Sequence, residues 1–373
     1  MTSKWTTCKI KDVLSFVVDN RGKTPPTEEE GFELLEVNAV SATDKYPQYQ
    51  VVRKRVSEEI YNSWFRSGHP RVGDILVPTV GTLGAVSFVD KNDCCIAQNL
   101  IALRANPEIC DCNYLYYILC NPITRKRLLN LNIGGVQPSI KVPHLMGLEI
   151  ELPDLETQKK IGNILQILDD KIATNQKIND NLQQQAQAIY ASMFIANADP
   201  AWTQGHLSDL ITVKYGKDHK KLADGVYPVF GSGGIMRYVE RPLYTGESVL
   251  IPRKGTLNNV MYVNEPFWSV DTMFFTEMKV PNVAKFVFHF VKAKDLASMN
   301  AGSAVPSMTT DILNALELAI PPADRLAEFE SAVAPMYQMM QANSQESAKL
   351  AELRDTLLPK LMSGTIDVSS IQI

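Results

Sequence analysis

The feature that most constrains the fold of this chain is an internal repeat, because two copies of one sequence pattern predict two copies of one structural unit. The offset between matching residues falls from 197 near the start to 168 further along. The first copy therefore holds about 29 extra residues, all before position 138, and we expect them in loops, where added length costs little. The matches are Trp5-Thr6 and Asp12-Val13 with Trp202-Thr203 and Asp209-Leu210; Pro78 and Gly81-Thr82-Leu83 with Pro252 and Gly255-Thr256-Leu257; Pro138-Ser139-Ile140 with Pro306-Ser307-Met308; and Leu148-Glu149 and Pro153 with Leu316-Glu317 and Pro321.

Each copy is followed by a long heptad-like stripe of apolar residues, which is typical of a helix that packs against another helix. Each predicted helix has about 40 residues and spans roughly 60 Å. Both stripes are interrupted at the same place, by Asn175 in the first and Asn343 in the second, and such a polar layer can fix the register of a helix pair. The predicted seam comprises Ile161, Leu165, Leu168, Ile172, Asn175, Leu182 and Ile189 in the first helix, and Phe329, Val333, Met336, Met340, Asn343, Leu350, Leu357 and Leu361 in the second.

Connectivity restricts how these helices can pair. The first helix leads from the first globular unit into the second, and the second helix begins at the far side of the second unit, so packed stripes require an antiparallel pair. We predict an α+β fold with two similar globular units separated by two long antiparallel helices, a coiled-coil spacer with a pseudo-two-fold internal repeat. The predicted segments are 1–153 and 199–321 for the globular units, 154–198 and 322–364 for the helices, and 365–373 for a C-terminal tail; 112–131 and 284–299 are each expected to form one amphipathic helix.

Charge, hydropathy and cysteine spacing exclude several classes of protein. The formal net charge is −4, but the negative excess lies in the two helical segments, so the nearly neutral globular units leave room for a local basic face. No apolar stretch reaches the roughly 18 residues of a membrane span, and no secretory signal follows the N-terminus. We therefore expect a cytoplasmic protein with no membrane partner. The six cysteines lack the spacing of paired zinc ligands, so reduced thiols and no metal site are expected.

Two strings resemble conserved regions of type I restriction–modification specificity (S) subunits. Residues 152–172, LPDLETQKKIGNILQILDDKI, resemble the central conserved region of that family, and residues 353–368, LRDTLLPKLMSGTIDV, resemble the distal one. The repeat, the paired helices and the two globular units fit the same family, so the resemblance covers essentially the whole chain. One departure is that the usual Pro-Pro-Leu-x-Glu-Gln opening survives in part at residues 153–158 but becomes PPADRL at residues 321–326.

The resemblance implies that each globular unit is a target-recognition domain, which reads one half of a split, asymmetric site in double-stranded DNA. It implies that the helices set the gap and dock two modification (methyltransferase) subunits, with restriction (motor-nuclease) subunits in the full complex. S-adenosylmethionine would be bound by the methyltransferase partner, which transfers the methyl group to adenine. Because the two family openings differ, the contacts to the two methyltransferases are expected to be unequal.

No motif of a self-sufficient enzyme is found. The string Asn121-Pro122-Ile123 lacks the second proline and the aromatic residue of an adenine methyltransferase motif and is better interpreted as a helix breaker. No phosphate-binding loop of the Walker type is present, and Gly231, Gly233 and Gly234 do not follow the dinucleotide-binding spacing. We predict no catalytic residue, no metal and no cofactor in this chain.

Candidate DNA contacts come from matched loops of the two copies. Lysine and arginine neutralise phosphates, and arginine and asparagine side chains pair bidentately with guanine and adenine. Other interpretations stay open for some of these residues: a solvated loop for the lysines, and backbone pairing for Gln98 and Asn99. The run Arg125-Lys126-Arg127 forms either a phosphate contact or a solvated helix face. Gly255 and Thr256 are better interpreted as a structural turn. The candidates are Asn20, Arg21, Lys23, Thr79, Thr82, Gln98 and Asn99 in the first unit, and Lys214, Tyr215, Lys217, Lys220, Arg253, Lys254, Asn258 and Asn259 in the second.

Two other functions are compatible with the same sequence features. A coiled-coil scaffold that joins two protein-binding units would show no sequence-selective protection of DNA, even in an assembled complex. A fused nuclease or methyltransferase would act on DNA without partners.

Overall fold

The computed structural model describes residues 5–41, 44–299 and 307–371. The chain divides into two compact units, Met1–Asn175 with Ser344–Ile373, and Gln176–Asn343. The two long helices therefore contribute residues to both units. Among the described residues no helix is both long and apolar enough to cross a membrane.

Among its described residues, the first unit combines nine short strands with short helices and part of both long helices. Its elements are β1 (Thr6–Lys9), β2 (Leu14–Val18), β3 (Phe32–Leu35), β4 (Arg55–Val56), α1 (Glu58–Ser63), β5 (Ile75–Pro78), β6 (Ser87–Phe88), β7 (Cys94–Ile96), β8 (Leu100–Ala105), α2 (Cys112–Cys120), α3 (Pro122–Asn130), α4 (Val142–Met146), β9 (Glu149–Leu152) and the long helix α5 (Leu155–Ala191).

The second unit repeats this order after one π-helical turn, Ser192–Ala196, at the end of α5. Its elements are β10 (Thr203–His206), α6 (Leu207–Leu210), β11 (Ile211–Tyr215), β12 (Asp224–Gly231), β13 (Gly234–Val239), β14 (Ser248–Pro252), β15 (Met261–Val263), β16 (Trp268–Ser269), β17 (Met273–Met278), α7 (Ala284–Lys292), α8 (Thr310–Asn314), β18 (Glu317–Ile320) and the long helix α9 (Ala323–Met362).

Sheet topology confirms the internal repeat. The first unit has a four-stranded sheet in the order β2-β8-β5-β6, and the second has β11-β17-β14-β15. Each unit also has a three-stranded sheet, β4-β3-β7 or β13-β12-β16, and a terminal pair, β1-β9 or β10-β18. The parallel pair recurs as well, as β3 with β7 and β12 with β16. The two copies thus have the same fold.

The matched sequence positions carry matched local structure. The Asp12 carboxylate accepts a hydrogen bond from the backbone N–H of Lys9 at 3.0 Å, and the Asp209 carboxylate does the same for His206 at 2.7 Å. Each carboxylate therefore pairs with a backbone N–H at the start of a helical turn, where the N–H has no carbonyl partner within the helix. Of the Pro138 and Pro306 match, Pro306 lies outside the described residues.

The extra length of the first copy lies in connections, as expected. Strands β3 and β4 are joined by residues 36–54, whereas Ser232 and Gly233 alone join β12 to β13. Helix α1 follows β4, and no helix stands between β13 and β14.

In both units the two long helices pack against each other and run antiparallel, which confirms the predicted pairing. In the first unit, Asp169 pairs with Arg354 at 2.6 Å, and Asn175 donates to Ser347 at 3.3 Å. In the second unit, Asn343 donates to Asn179 at 2.8 Å. Partner numbers fall along α9 as they rise along α5, and the repeat offset of 168 maps the Asn175–Ser347 pair onto Asn343–Asn179. The polar layer is therefore present in each unit.

None of the fifteen predicted seam residues is exposed. The seam residues nearest the globular units also pack into the cores of those units. Ile161, Leu165 and Leu361 belong to the core of the first unit. The core of the second unit includes Phe329 and Val333. Among the buried side chains that the predicted seam omits are Asp169, Tyr190 and Tyr337. Each of these pairs polar or aromatic groups across elements, which a heptad count does not detect.

Two predicted helices are shorter in the structure. The segment 112–131 is two helices, because Pro122 cannot continue α2 and the Asn121 side chain accepts from the Ile123 N–H at 3.0 Å to begin α3. The segment 284–299 is helical only to Lys292. Of the C-terminal tail, residues 365–371 pack back on the first unit, since Val368 is buried and Lys160 donates to the Ser369 carbonyl at 3.0 Å.

Candidate nucleic-acid interface

In the second unit the candidate residues gather at one end of the four-stranded sheet. Strand β17 is antiparallel to both β11 and β14, so the loops that follow these two strands meet at its start. The Gly216 N–H donates to the Met273 carbonyl at 3.0 Å, and the Arg253 N–H donates to the Thr272 carbonyl at 2.9 Å. This backbone pairing holds both loops at the same end of the sheet.

The first unit builds the same sheet end. The Thr79 N–H donates to the Asn99 carbonyl at 2.8 Å, as Arg253 does to Thr272. The Thr79 carbonyl accepts from Ile140 at 2.8 Å, and the Arg253 carbonyl accepts from Met308 at 2.9 Å. The sequence alignment of these loops is therefore correct.

The shared Gly-Thr-Leu segment is a structural turn in both units. Gly81 has φ 90° and Gly255 has φ 84°, a left-handed conformation that a residue with a Cβ adopts only with strain. The structural interpretation of Gly255 is thus confirmed. The residues on both sides of this segment differ: Thr79-Val80 precede it in one unit and Arg253-Lys254 in the other, and Gly84-Ala85 or Asn258-Asn259 follow it.

Arg253 and Tyr215 come together, although 38 positions separate them in the sequence. The Arg253 guanidinium carbon lies 5.3 Å from the centre of the Tyr215 ring, and its Nη1 donates to the Asp271 carbonyl at 3.3 Å. The Tyr215 ring rests edge-on against Phe274 at 5.0 Å and stays 51% exposed. A cation is attracted to an aromatic face, so this contact and the hydrogen bond to Asp271 both favour the observed orientation of Arg253.

Four candidate lysines are exposed around this end of the sheet: Lys214, Lys217, Lys220 and Lys254. Lys214 pairs with Glu277 at 3.5 Å, and both side chains are more than 40% exposed, so this pair contributes little. Asn258 and Asn259 have structural contacts instead. Asn258 bonds Asp295 and the Ala297 N–H at 3.0 Å each, and Asn259 donates to the Ser232 carbonyl at 2.8 Å.

Two candidates of the first unit are not at the surface, and for them the expectation of a ligand contact is wrong. Asn20 is 3% exposed, donates to the Gly68 carbonyl at 2.9 Å and accepts from the Ser67 N–H at 2.9 Å. Thr79 is 1% exposed, and its hydroxyl donates to the Asn99 carbonyl at 3.1 Å. Buried polar groups need hydrogen-bond partners, and both side chains find theirs within the protein.

The other candidates of the first unit remain near the surface. Arg21 forms two bonds to Asp19, at 2.9 and 2.8 Å, and this guanidinium holds the pKa of the Asp19 carboxyl below its usual value. Lys23 and Thr82 are exposed, and so is Gln98, which has φ 54° and donates to the Thr24 hydroxyl at 2.6 Å. Asn99 is half-buried, and its carbonyl serves the Thr79 pairing.

Two further features lie beside the turns: Arg125, for which the sequence left a phosphate contact and a solvated helix face open, and the hairpin turn at Ser232. Arg125 packs over Gly84, directly beside the first unit's turn, because a Cβ on Gly84 would lie 3.1 Å from the Arg125 Cγ. In the second unit the hairpin turn Ser232–Gly233 touches the Gly255 turn. The sequence indicates this hairpin by the glycines around its turn, Gly231, Gly233 and Gly234, which lie between two strands.

No group of three or more histidine, cysteine, aspartate or glutamate side chains able to hold a metal ion occurs within residues 5–41, 44–299 and 307–371. The six cysteines are free thiols. Burial raises the pKa of the Cys94 thiol to about 12, which keeps it protonated and a poor ligand or nucleophile.

Comparison with known proteins agrees with this architecture. A family model described as "Type I restriction modification DNA specificity domain" matches residues 2–184 and 201–327. The MjaIX type I restriction enzyme specificity subunit of Methanocaldococcus jannaschii is 22% identical, over 98% of this chain and 94% of that protein. The HindI specificity subunit of Haemophilus influenzae is 21% identical, over 79% and 86%.

A solved S subunit of a type I restriction-modification system from M. genitalium shares the fold, with a TM-score of 0.58, 20% identity and 96% of both chains covered. The family model extends over both repeated units and into both long helices. On this match the chain belongs to the family of type I restriction–modification specificity subunits.

Proposed function

We propose that this chain reads a split, asymmetric DNA site, with one half recognised by each unit. The observation that carries the proposal is the repeated sheet end, where one backbone scaffold places Val80 in the first unit at the position that Lys254, next to Arg253, has in the second. A common scaffold with different side chains reads different bases at two equivalent positions. The two halves of the site therefore differ in sequence.

The antiparallel helices set the distance between the two halves and dock two modification (methyltransferase) subunits. Restriction subunits join in the full complex. The methyltransferase partner binds S-adenosylmethionine and methylates adenine, while this chain supplies recognition. Because its globular parts are nearly neutral, the isolated chain lacks long-range attraction for DNA, and assembly with the partners strengthens binding. The relatives support this role through their names as specificity subunits of type I restriction enzymes.

Sequencing of methylated adenines in DNA exposed to the reconstituted complex tests the function directly. We expect a split motif with two unlike halves. Insertion of seven residues at the polar layer of both helices keeps the heptad seam in phase and adds about 10 Å, so the gap should widen by up to about three base pairs while each half stays the same. An altered half-site with an unchanged gap would contradict the spacer role, and no selective methylation or protection would favour a protein scaffold.

Arg253 is the side chain we expect to read a base in the second half-site. Its guanidinium lies over the exposed Tyr215 ring and donates to the Asp271 carbonyl, and arginine pairs bidentately with guanine. We expect Arg253→Ala to weaken binding of the assembled complex by about 1–3 kcal/mol and to relax the sequence preference at one position. Fluorescence anisotropy on duplexes with each base at that position measures both effects.

Lys254→Ala is the matched control, because Lys254 is the exposed neighbour of Arg253 on the same turn. Loss of a lysine that neutralises one phosphate should lower the affinity equally for all sequences. The number of counterions released on binding, measured from the salt dependence, should fall by about one. If Arg253→Ala also weakened all sequences equally, its role as a reader of bases would be rejected.

A further inference from the structure

The tip of the β12–β13 hairpin is a two-residue turn without a large side chain. Gly231 pairs with Gly234, so Ser232 and Gly233 alone make the turn. Gly234 has φ 113°, which only glycine adopts without strain. A Cβ built on Gly233 meets no atom within 4 Å, so the tip stands open on that side.

Two large apolar side chains follow the tip and remain exposed. Ile235 is 51% exposed and Met236 is 61% exposed, on β13 at the edge of its sheet. The Met236 sulfur lies over Gly231, where a Cβ would come within 2.5 Å of it. Adjacent exposed apolar side chains on a sheet edge are typical of an interaction surface.

The tip touches the loop that carries the strongest candidate contacts. Asn259 donates to the Ser232 carbonyl at 2.8 Å, and a Cβ on Gly255 would lie 2.7 Å from the Ser232 hydroxyl. Arg253 and Lys254 precede Gly255 on the same turn. The apolar pair is therefore continuous with the proposed DNA-binding edge.

Charge around the tip indicates the class of occupant. The loop after β11 contributes Lys217, Lys220 and Lys221 against Asp218, and the turn after β14 contributes Arg253 and Lys254 against the neighbouring Asp271, so cations are in excess. A patch of cations that borders exposed apolar groups is complementary to a polyanion with apolar faces inside it. Duplex DNA has this arrangement, with phosphates outside and base edges in the grooves.

We propose that the hairpin tip, residues 231–236, enters a groove of the DNA in the second half-site, where Ile235 and Met236 make apolar contact with the bases. This inference rests on the proposed function. The glycines allow the backbone to approach the phosphates closely, and aliphatic side chains contact thymine methyl groups or the faces of opened base steps. The first unit has the 36–54 connection in place of this turn, so the contact belongs to one half-site only.

The test uses the complex reconstituted with its methyltransferase subunits and a duplex that carries its methylation site. We expect the double substitution Ile235→Ser and Met236→Ser to weaken binding about tenfold, the scale of losing one apolar base contact. The control is Val226→Ser at the opposite end of the same hairpin, where an apolar side chain is 76% exposed. The control should bind within about twofold of the unchanged complex.

Gly233→Leu gives a second, steric test. The free protein has room for this side chain, so the melting temperature should not change, whereas a groove has none and binding should weaken more than tenfold. Crosslinking by 5-iodouracil placed through the second half-site reports contact in the unsubstituted protein, and we expect an adduct within residues 231–238.

The outcomes separate the two proposals. If the unsubstituted complex binds no sequence selectively, the proposed function fails. If it binds its site selectively, but both hairpin variants bind as well as Val226→Ser and no adduct forms in the hairpin, the DNA contact of the hairpin is overturned.

Discussion

Replacement of Arg354 by alanine should destabilise the first unit by about 3–5 kcal/mol, because it leaves a buried carboxylate without its cation. Asp169 is 4% exposed, bonds Arg354 at 2.6 Å and accepts the Tyr117 hydroxyl at 2.6 Å. These contacts join α5, α9 and α2, so the pair stabilises both the helix pairing and its attachment to the globular unit. Urea unfolding of the purified chain measures the loss.

Lys171→Ala is the matched control, because Lys171 also joins α5 to α9, through Glu346 at 3.2 Å, but both side chains are nearly half exposed. An exposed pair of this kind contributes less than about 1 kcal/mol. Adding Asp169→Asn to Arg354→Ala should restore part of the stability, since the unpaired charge is then gone. Equal small losses for Arg354→Ala and Lys171→Ala would contradict the structural role of the buried pair.

Acidification should destabilise the second unit through His289, by about 3 kcal/mol between pH 7 and pH 4. This side chain is fully buried, with Nδ1 2.7 Å from the Gln187 side-chain oxygen and Nε2 2.9 Å from the Tyr337 hydroxyl. Burial, assisted by the charge of Lys292, lowers the pKa of His289 to about 4. The unfolded chain binds a proton near pH 6.5, so the contribution is present above that pH and is lost as the pH falls toward 4.

Hydrogen exchange of the α7 amides at several pH values measures this effect. His289→Gln keeps a polar side chain but removes the titration, so its stability should fall less over the same pH range. His206→Gln, at an exposed histidine of the same unit, should follow the unsubstituted protein. If the His289→Gln and His206→Gln proteins had the same pH dependence, His289 would not be the group responsible.

Local periodicity is visible in the sequence, whereas burial depends on the tertiary contacts. The seam from Ile161 to Leu361 was predictable because helical periodicity repeats locally, and the repeat doubled that signal. The loops of Thr79 and Arg253 were correctly aligned, but their exposure was not predictable. Thr79 donates its hydroxyl to the Asn99 carbonyl and is buried, although the sequence shows only a polar residue in a loop.

Other features depended on groups that are distant in sequence. The Arg253–Tyr215 contact exists because β17 pairs with both β11 and β14. The Asp169–Arg354 pair spans 185 positions. The hairpin tip at Ser232 was visible only as a run of glycines, and its position beside Gly255 follows from the packing of two separate sheets.

By itself the sequence determined the two copies, the long antiparallel helices with their polar layer, and the family, because periodicity, connectivity and repeated motifs are properties of the chain order. Only the tertiary structure decided which polar side chains are buried and which are presented at the sheet ends. The physical reason is that burial of a polar group depends on whether a partner from another strand or helix comes within hydrogen-bonding distance.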